Sequence, residues 1–587
     1  MQDLKVLLDG VKGDTGTAAV LGAAACGVVG VLLLLRTVSR GREVERKIQR
    51  ARSRRTEVLQ RADQAVLRYR QTHSTADSAS ILALPLAELR EKLQTGSLSP
   101  EDVLYTYMEQ TLAVNAKLNC CTEIIMESFD QLKTIGSNKD GLLYGVPISL
   151  KENISYKNYT STCGMVKNLD KPAQKDSVLV EVLKKQGAIP FAKTNVPQAL
   201  LSYDCSNPIY GETKNPCNPK KSPGGSSGGE GALITAGGSV LGLGTDIGGS
   251  VRIPASFCGI CGFKPTAGRL SSLGVNSSLQ GQKSVLTTPG PMARDVDSLA
   301  LFMQAVLCDH MFELDPTVPP LPFNMQTYKS SRPLRIGYYD NDGYSQPSPS
   351  MARAVREVKA LLEDAGHTLV PYLPLKLDHT MTELLLRGLF ADGGVTLLEQ
   401  VKGGPMVPGF ALQILPYRIP NWIKKFLSLL IKPVSSRVAG FLSAVCGVSS
   451  QHCEMLNPFL LCLYQEYTNE TISYWRKINI DVLLCPMIGP AYWPRYAGKS
   501  SSIYSMIYNL LNFSAGTVTV STVTEEDEEE LKHFKGIYQD FQDRLFKEAV
   551  TGGVGLPVSV QCVSLPWQDE MCLRLMKEVE ELVRSRK

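Results

Sequence analysis

Three serines and one lysine stand out as residues able to do chemistry. From Lys221 to Arg269 the chain reads KSPGGSSGGEGALITAGGSVLGLGTDIGGSVRIPASFCGICGFKPTAGR, with Ser226, Ser227 and Ser250 flanked by glycine. Short apolar runs alternate with the glycine clusters, which suits backbone held tightly in a core rather than a linker. A serine hydroxyl becomes a nucleophile only when a base takes its proton. Histidine is the usual base. The six here, His73, His310, His367, His379, His452 and His533, fall in helical or edge segments rather than at glycine-rich turns.

Two readings of the base follow. Gly225–Gly229 matches G-x-S-x-G, the nucleophile elbow of an esterase or lipase, with Ser227 at its centre. That elbow needs an apolar strand just before it, whereas Asn215–Pro223 reads as a loop, so this is the weaker alternative. The other base is lysine. Lys151 closes the apolar run LLYGVPISL (142–150), and burial there disfavours its ammonium form, so it can accept a proton. Together these residues point to a serine hydrolase that works without histidine.

The elements that position these residues alternate between strand and helix, an α/β pattern. Strands are expected over 142–150, 188–193, 334–339, 367–373, 480–485, 518–522 and 555–562. Helices are expected over 56–75, 86–93, from Ser99-Pro100 to about Ala116, over 178–183, 352–365 and 568–585. GPMARDVDSLALFMQAVL (290–307) reads as a turn and then a helix starting near Asp295, and 380–475 as mostly helical. The acidic run Glu525–Glu530 reads as a solvated turn or helix start. DPTVPPLPF (315–323) is stiff and extended. Its Pro319–Pro322 PxxP is read first as a surface connector and second as an SH3 ligand.

Composition narrows the function classes. The net charge is +5, yet residues 1–55 hold eleven Lys/Arg against five Asp/Glu, leaving the remaining chain at −1. A near-neutral body argues against nucleic acid as a partner. Fifteen scattered cysteines imply no disulfide framework, and the lone C-x-x-C of Cys258 and Cys261 lacks the second pair or histidines a zinc site needs. Residues 16–35 are uncharged and long enough to cross a hydrocarbon core, with nine Lys/Arg between Arg36 and Arg55. That order fits a transmembrane anchor with a short lumenal stretch (1–15), a basic cytoplasmic flank (36–55) and a cytoplasmic catalytic domain (56–587). Residues 410–445 set Trp422 and several Leu and Ile among a few Lys, the composition of a helical cap dipping into one leaflet.

GVPISLKEN, the glycine- and serine-rich core and GPMARDVDSL together resemble the amidase signature family. The anchor, VPQALLSYDCSNP (196–208), DPTVPPLPF, GLFADGG (388–394), the 410–445 segment and LPVSVQCVSLPWQDE (556–570) resemble its membrane-bound members that act on long-chain fatty acid amides. The resemblance implies an amidase-signature fold, a twisted mixed β-sheet with helices on both faces, beside the N-terminal transmembrane helix. It implies Ser250 as nucleophile, Ser226 as proton relay, Lys151 as base and Ser227 in support. The backbone N–H groups of Ile247, Gly248, Gly249 and Ser250 would form the oxyanion hole, with Leu200 binding substrate beside it and Leu201, Tyr344 and Phe390 lining the acyl channel. It requires no metal or organic cofactor. Partners would be lipid amides, membrane lipids and a second copy of the chain, on an endomembrane such as the endoplasmic reticulum. An amidotransferase-type amidase subunit is the alternative within the family.

Overall fold

The computed structural model describes residues 15–73, 77–135, 139–279, 284–447, 450–496 and 503–586. The side chains of 15–22, 24, 25, 450–460 and 495 are likewise outside the description. The chain divides into two compact units, Met1–Ser53 and Arg54–Lys587.

In the first unit the described backbone is helical and belongs to the helix Thr15–Thr72. The expected lumenal residues 1–14 lie outside the described residues. So do the side chains of much of the expected anchor, while Val28, Val29 and Val31–Leu35 are exposed. Among the described residues no helix is long and apolar enough to cross a membrane.

The second unit is built on a mixed sheet of eleven strands. In chain order the strands are β1 (Cys121–Ile124), β2 (Pro147–Lys151), β3 (Ile189–Thr194), β4 (Ser206–Asn207), β5 (Gly211–Glu212), β6 (Leu241–Asp246), β7 (Cys261–Lys264), β8 (Thr288–Ala293), β9 (Arg335–Tyr338), β10 (Thr368–Pro371), β11 (Val482–Pro486), β12 (Ser514–Thr522) and β13 (Pro557–Ser564). The large sheet runs β1-β3-β2-β6-β8-β7-β12-β13-β11-β9-β10, and β4 and β5 form a separate hairpin. β3-β2-β6 and β11-β9-β10 pair in parallel, while the pairings from β6 to β11 through β8, β7, β12 and β13 are antiparallel, as is β1 with β3.

Helices cover both faces. Successive strand residues point to opposite sides. On β12 the Thr517 hydroxyl reaches the Arg252 carbonyl on one side, while a Cβ on the neighbouring Gly516 would strike Met576 on the other. Helix Arg252–Cys258 and the closing helix Asp569–Arg586 therefore lie on opposite faces. The helix starts have local causes. Ser99 Oγ accepts the Asp102 N–H at 2.9 Å with Pro100 in the first turn, and Thr524 and Asp527 form a reciprocal capping box that makes the acidic run a helix, Glu525–Lys532. Of the expected face of 56–75, Ala62, Val66 and Tyr69 are buried.

Three expectations change. Residues 142–145 form a turn, and the strand begins only at Pro147, which suits a strand's first position. Gly290 starts no turn. It lies within β8, where a Cβ would come 2.1 Å from the Phe263 carbonyl, so glycine is needed for the close approach of β7 to β8. The helix expected over 86–93 runs two residues further, Leu86–Thr95, with Pro85 at its N-cap. Pro319–Pro322 joins helices Asp309–Leu314 and Met325–Tyr328, with Arg269 Nη2 donating to the Pro322 carbonyl at 3.4 Å.

The 410–445 segment is three helices, Pro408–Arg418, Asn421–Ile431 and Ser436–Ala444. Lys424 turns inward and donates to the Val445 carbonyl at 2.7 Å. On the outer side Trp422 and Leu429 are each more than 70 % exposed. Buried Arg437 binds Asp540 and Asp543.

Candidate active site

Parallel pairing of β2 with β6 brings together residues far apart in sequence. Lys151 ends β2 with its side chain wholly buried. Its Nζ donates to Ser226 Oγ at 2.8 Å, Thr245 Oγ1 at 2.8 Å and the Thr245 carbonyl at 3.1 Å. Thr245 is the penultimate residue of β6, and Ser226 lies in the loop before helix Gly228–Thr235. Burial disfavours the ammonium form and, against the opposing pull of Asp246, brings Lys151 down to about 7. The sequence therefore folds into a lysine that exchanges protons near neutrality, with a serine hydroxyl in hydrogen-bond contact.

Ser250 lies just beyond β6. It lines one small cavity with Ser226, Thr245, Asn153, Ile247 and the two leucines Leu200 and Leu201. Its volume is about 20 Å³, room for about one water. Ser227 has a different position from its neighbour. Its N–H donates to the Ser250 carbonyl at 3.1 Å and its hydroxyl lies 3.4 Å from both the N–H and the carbonyl of Thr245. It ties the Ser226 loop to β6 and to Ser250. It follows a loop rather than a strand, and no histidine lines the cavity among the described residues.

The loop 247–250 is shaped by a buried ion pair. Asp246 and Arg252 are both wholly buried, with contacts of 2.9 and 3.1 Å. Arg252 also reaches the Ser505 carbonyl, Gln561 and Asn509, so its donors are spent. Burial would raise the Asp246 carboxyl, but the guanidinium outweighs it and holds it well below the usual range. The carboxylate accepts the N–H of Gly249 at 2.7 Å and of Val251 at 3.1 Å. This corrects the expected four-donor oxyanion hole. The Gly249 N–H is committed to Asp246, and the donors left open among the described residues are those of Ile247, Gly248 and Ser250. Gly249 sits at φ +116°, and a Cβ there would meet Ser505 Oγ at 2.4 Å.

Sequence reasoning missed Thr245, Asn153, Asp246 and Arg252. Thr245 looks like an ordinary strand residue, and only the β2–β6 register sets its hydroxyl on Lys151. Asn153 Nδ2 donates to the Asn276 carbonyl at 2.8 Å. Asp246 and Arg252 bracket the glycines of TDIGGSVR, a charge pair at i and i+6 that was legible as a loop clamp.

The expected channel residues separate. Leu200 and Leu201 line the cavity with the serines. Tyr344 lines a different, larger pocket of about 440 Å³ with His379, Arg437 and Tyr538. Phe390 is buried with its ring centroid 4.8 Å from that of Tyr417. Cys258 and Cys261 are buried, bonded through sulfur to the Pro223 carbonyl and to Glu580.

Residues 102–573 match the family model Amidase. The chain is 48 % identical over 563 residues to fatty-acid amide hydrolase 1 of Sus scrofa, covering 96 % of each chain. It is 51 % identical over 432 residues to the vitamin D3 hydroxylase-associated protein of Gallus gallus, covering 73 % of this chain and 93 % of that one. Among solved structures it is similar to a fatty acid amide hydrolase at TM-score 0.76 and 25 % identity, over 92 % of this chain and 94 % of that one.

Proposed function

The chain belongs to the amidase family, and we propose that it is a serine hydrolase cleaving long-chain fatty acid amides through Ser250, Ser226 and Lys151. Likeness to fatty-acid amide hydrolase 1 of Sus scrofa along nearly the whole chain supports the substrate class. The observation that carries the mechanism is the 2.8 Å contact between a wholly buried Lys151, brought down to about 7, and the Ser226 hydroxyl.

Neutral Lys151 takes the Ser226 proton as Ser226 takes the proton of Ser250. Ser250 Oγ bonds to the amide carbon, and the carbonyl pair moves onto oxygen. The N–H groups of Ile247, Gly248 and Ser250 stabilise that charge. The lysine proton returns through Ser226 to the departing nitrogen, the C–N bond breaks, and an ester is left on Ser250. Protonating the leaving amine is what an amide demands beyond an ester. Water then repeats the cycle on the acyl-enzyme and frees the fatty acid.

Leu200 and Leu201 meet the acyl chain beside the scissile bond. Tyr344 and Phe390, in the same apolar core, line its farther reach. Residues 16–35 and the 410–445 helices hold a homodimer on the cytoplasmic face of an endomembrane such as the endoplasmic reticulum. The outward Trp422, Phe426, Leu429 and Leu430 support the membrane contact of the 410–445 helices.

The test is hydrolysis of a long-chain acyl amide by wild type, Ser250→Ala and Lys151→Ala, with fluorophosphonate labelling alongside. Ser250→Ala loses turnover and labelling. Lys151→Ala loses most amide turnover and keeps relatively more on the matching ester. Full amide turnover in Ser250→Ala refutes the proposal.

A further inference from the structure

Glu230 is a buried carboxyl beside this relay to which the mechanism gives no task. It lies on helix Gly228–Thr235, which begins just after Ser226 and Ser227, and it is wholly buried. Oε2 accepts from Ser149 Oγ at 2.5 Å and Oε1 from Thr194 Oγ1 at 2.8 Å. Ser149 and Lys151 are two residues apart on β2 and so share a face. Thr194 is the residue of β3 paired with Lys151. On the third side, a Cβ at Gly242 of β6 would come 2.1 Å from Oε2, so glycine leaves space for the carboxyl. Three adjoining strands thus shape a recess for Glu230 one pleat from the lysine.

No lysine or arginine among the described residues forms an ion pair with Glu230, and the cation that acts on it is Lys151. Burial pushes its carboxyl up to about 7, against the two hydroxyl hydrogen bonds and the lysine.

We propose that Glu230 is a positioning residue of the relay, whose charge sets how readily Lys151 takes and returns the proton passed through Ser226. The proposal rests on the Lys151–Ser226 reading above. As a carboxylate, Glu230 favours the ammonium that Lys151 becomes during acylation. As a neutral acid it leaves Lys151 a weaker base. No bond forms or breaks at Glu230. Other titratable groups lie around the pair. Asp246 of β6 stays ionised under Arg252. Burial pushes up the Cys163 and Cys205 thiols, and the bond to Cys121 together with burial does so for Cys120. Lys193 of β3 turns to Thr160 and Ser161 instead.

The test is the rate of fluorophosphonate labelling of Ser250 from pH 5 to 9 in the full chain. It compares wild type, Glu230→Gln and Thr194→Val, with Ser250→Ala as blank. Labelling rises with pH as Lys151 becomes neutral. In Glu230→Gln the midpoint of the rise moves down by up to about one pH unit, so at pH 6 the variant labels up to about fivefold faster, relative to its own plateau, than wild type does. Thr194→Val removes one donor from the carboxylate and moves the limb the same way by less. It decides the question if Glu230→Gln does not fold. An unmoved limb in the variants that fold overturns the role of Glu230. Labelling of Ser250→Ala would instead overturn the nucleophile, so the two failures are distinct.

Discussion

Replacing Lys151 with methionine separates what the lysine does for catalysis from what it costs the fold. The thioether matches the length of the alkyl stem and needs no proton. A lysine brought from 10.5 to about 7 by burial costs the folded state about 5 kcal/mol at neutral pH and below. Removing the ammonium relieves that cost but takes a donor from Thr245 O, Thr245 Oγ1 and Ser226 Oγ, the first two keeping the Ser227 hydroxyl and Asn153 Nδ2 at 3.4 Å. Unpaired buried groups cost about 1–3 kcal/mol each, less where a hydroxyl can turn to a new partner. The net change at pH 7 is therefore small, and the pH dependence carries the information. Below pH 7 both folded and unfolded chains hold the Lys151 proton. Between pH 7 and 10.5 only the unfolded chain holds it, so wild-type stability rises with pH across that window. Lys151→Met lacks this rise, and from pH 7 to 9 its stability falls relative to wild type by about 2–3 kcal/mol. The measurement is urea unfolding of both proteins at pH 7 and 9 in the same detergent. Taking the difference cancels Lys264, another buried lysine brought to about 7. Amide turnover drops at least about 100-fold throughout. A stability difference that stays constant from pH 7 to 9 would show that Lys151 keeps an ordinary proton affinity, and the base assignment would fall with it.

Three further outcomes are expected. Gly249→Ala places a Cβ 2.4 Å from Ser505 Oγ at φ +116°; unfolding should show a loss of about 2 kcal/mol or more, with labelling of Ser250 falling alongside, and an unchanged labelling rate would contradict the loop geometry. Asp246→Asn leaves Arg252 buried without its counter-charge and should lower stability by about 3–5 kcal/mol, whereas Asp246→Asn combined with Arg252→Met recovers part of it; additive losses would argue against a clamp. Trp422→Ser with Leu429→Ser, both on the outward side of helix Asn421–Ile431, should reduce sedimentation with phospholipid vesicles while the Ser250 labelling rate in detergent stays at the wild-type value.

Legibility followed the distance over which a cause acts. Ser99-Pro100 predicts the start of its helix because the cap and the fixed proline φ act within one turn. The glycine- and serine-rich stretch shows its role because its residue types are needed wherever backbone meets backbone closely. β8 was missed because Thr288–Ala293 contains two prolines and a glycine and looks like a turn alone, yet it pairs on both sides with β6 and β7. Channel residues were the least legible. Leu200 and Leu201 sit at the cavity, while Tyr344 and Phe390 lie elsewhere in the core, a separation that depends on how the 377–445 helices pack.

By itself the sequence supplied the candidates. Ser226, Ser227, Ser250 and a strand-ending Lys151 stand out by local chemistry, glycine where backbone must approach closely and apolar residues leading to one cation, while the division of tasks among the serines comes from the family resemblance. The tertiary structure decided what those groups become. Lys151 and Thr245 are ninety-four positions apart and meet only because β2 and β6 run side by side. Which N–H groups of the 247–250 loop stay open depends on Asp246 taking the Gly249 N–H, a choice made by the buried Arg252 and its partners on distant elements. Proton affinity is likewise no property of a lysine in a list of residues. It follows from burial and neighbouring charge, and both exist only once the sheet has closed over the site.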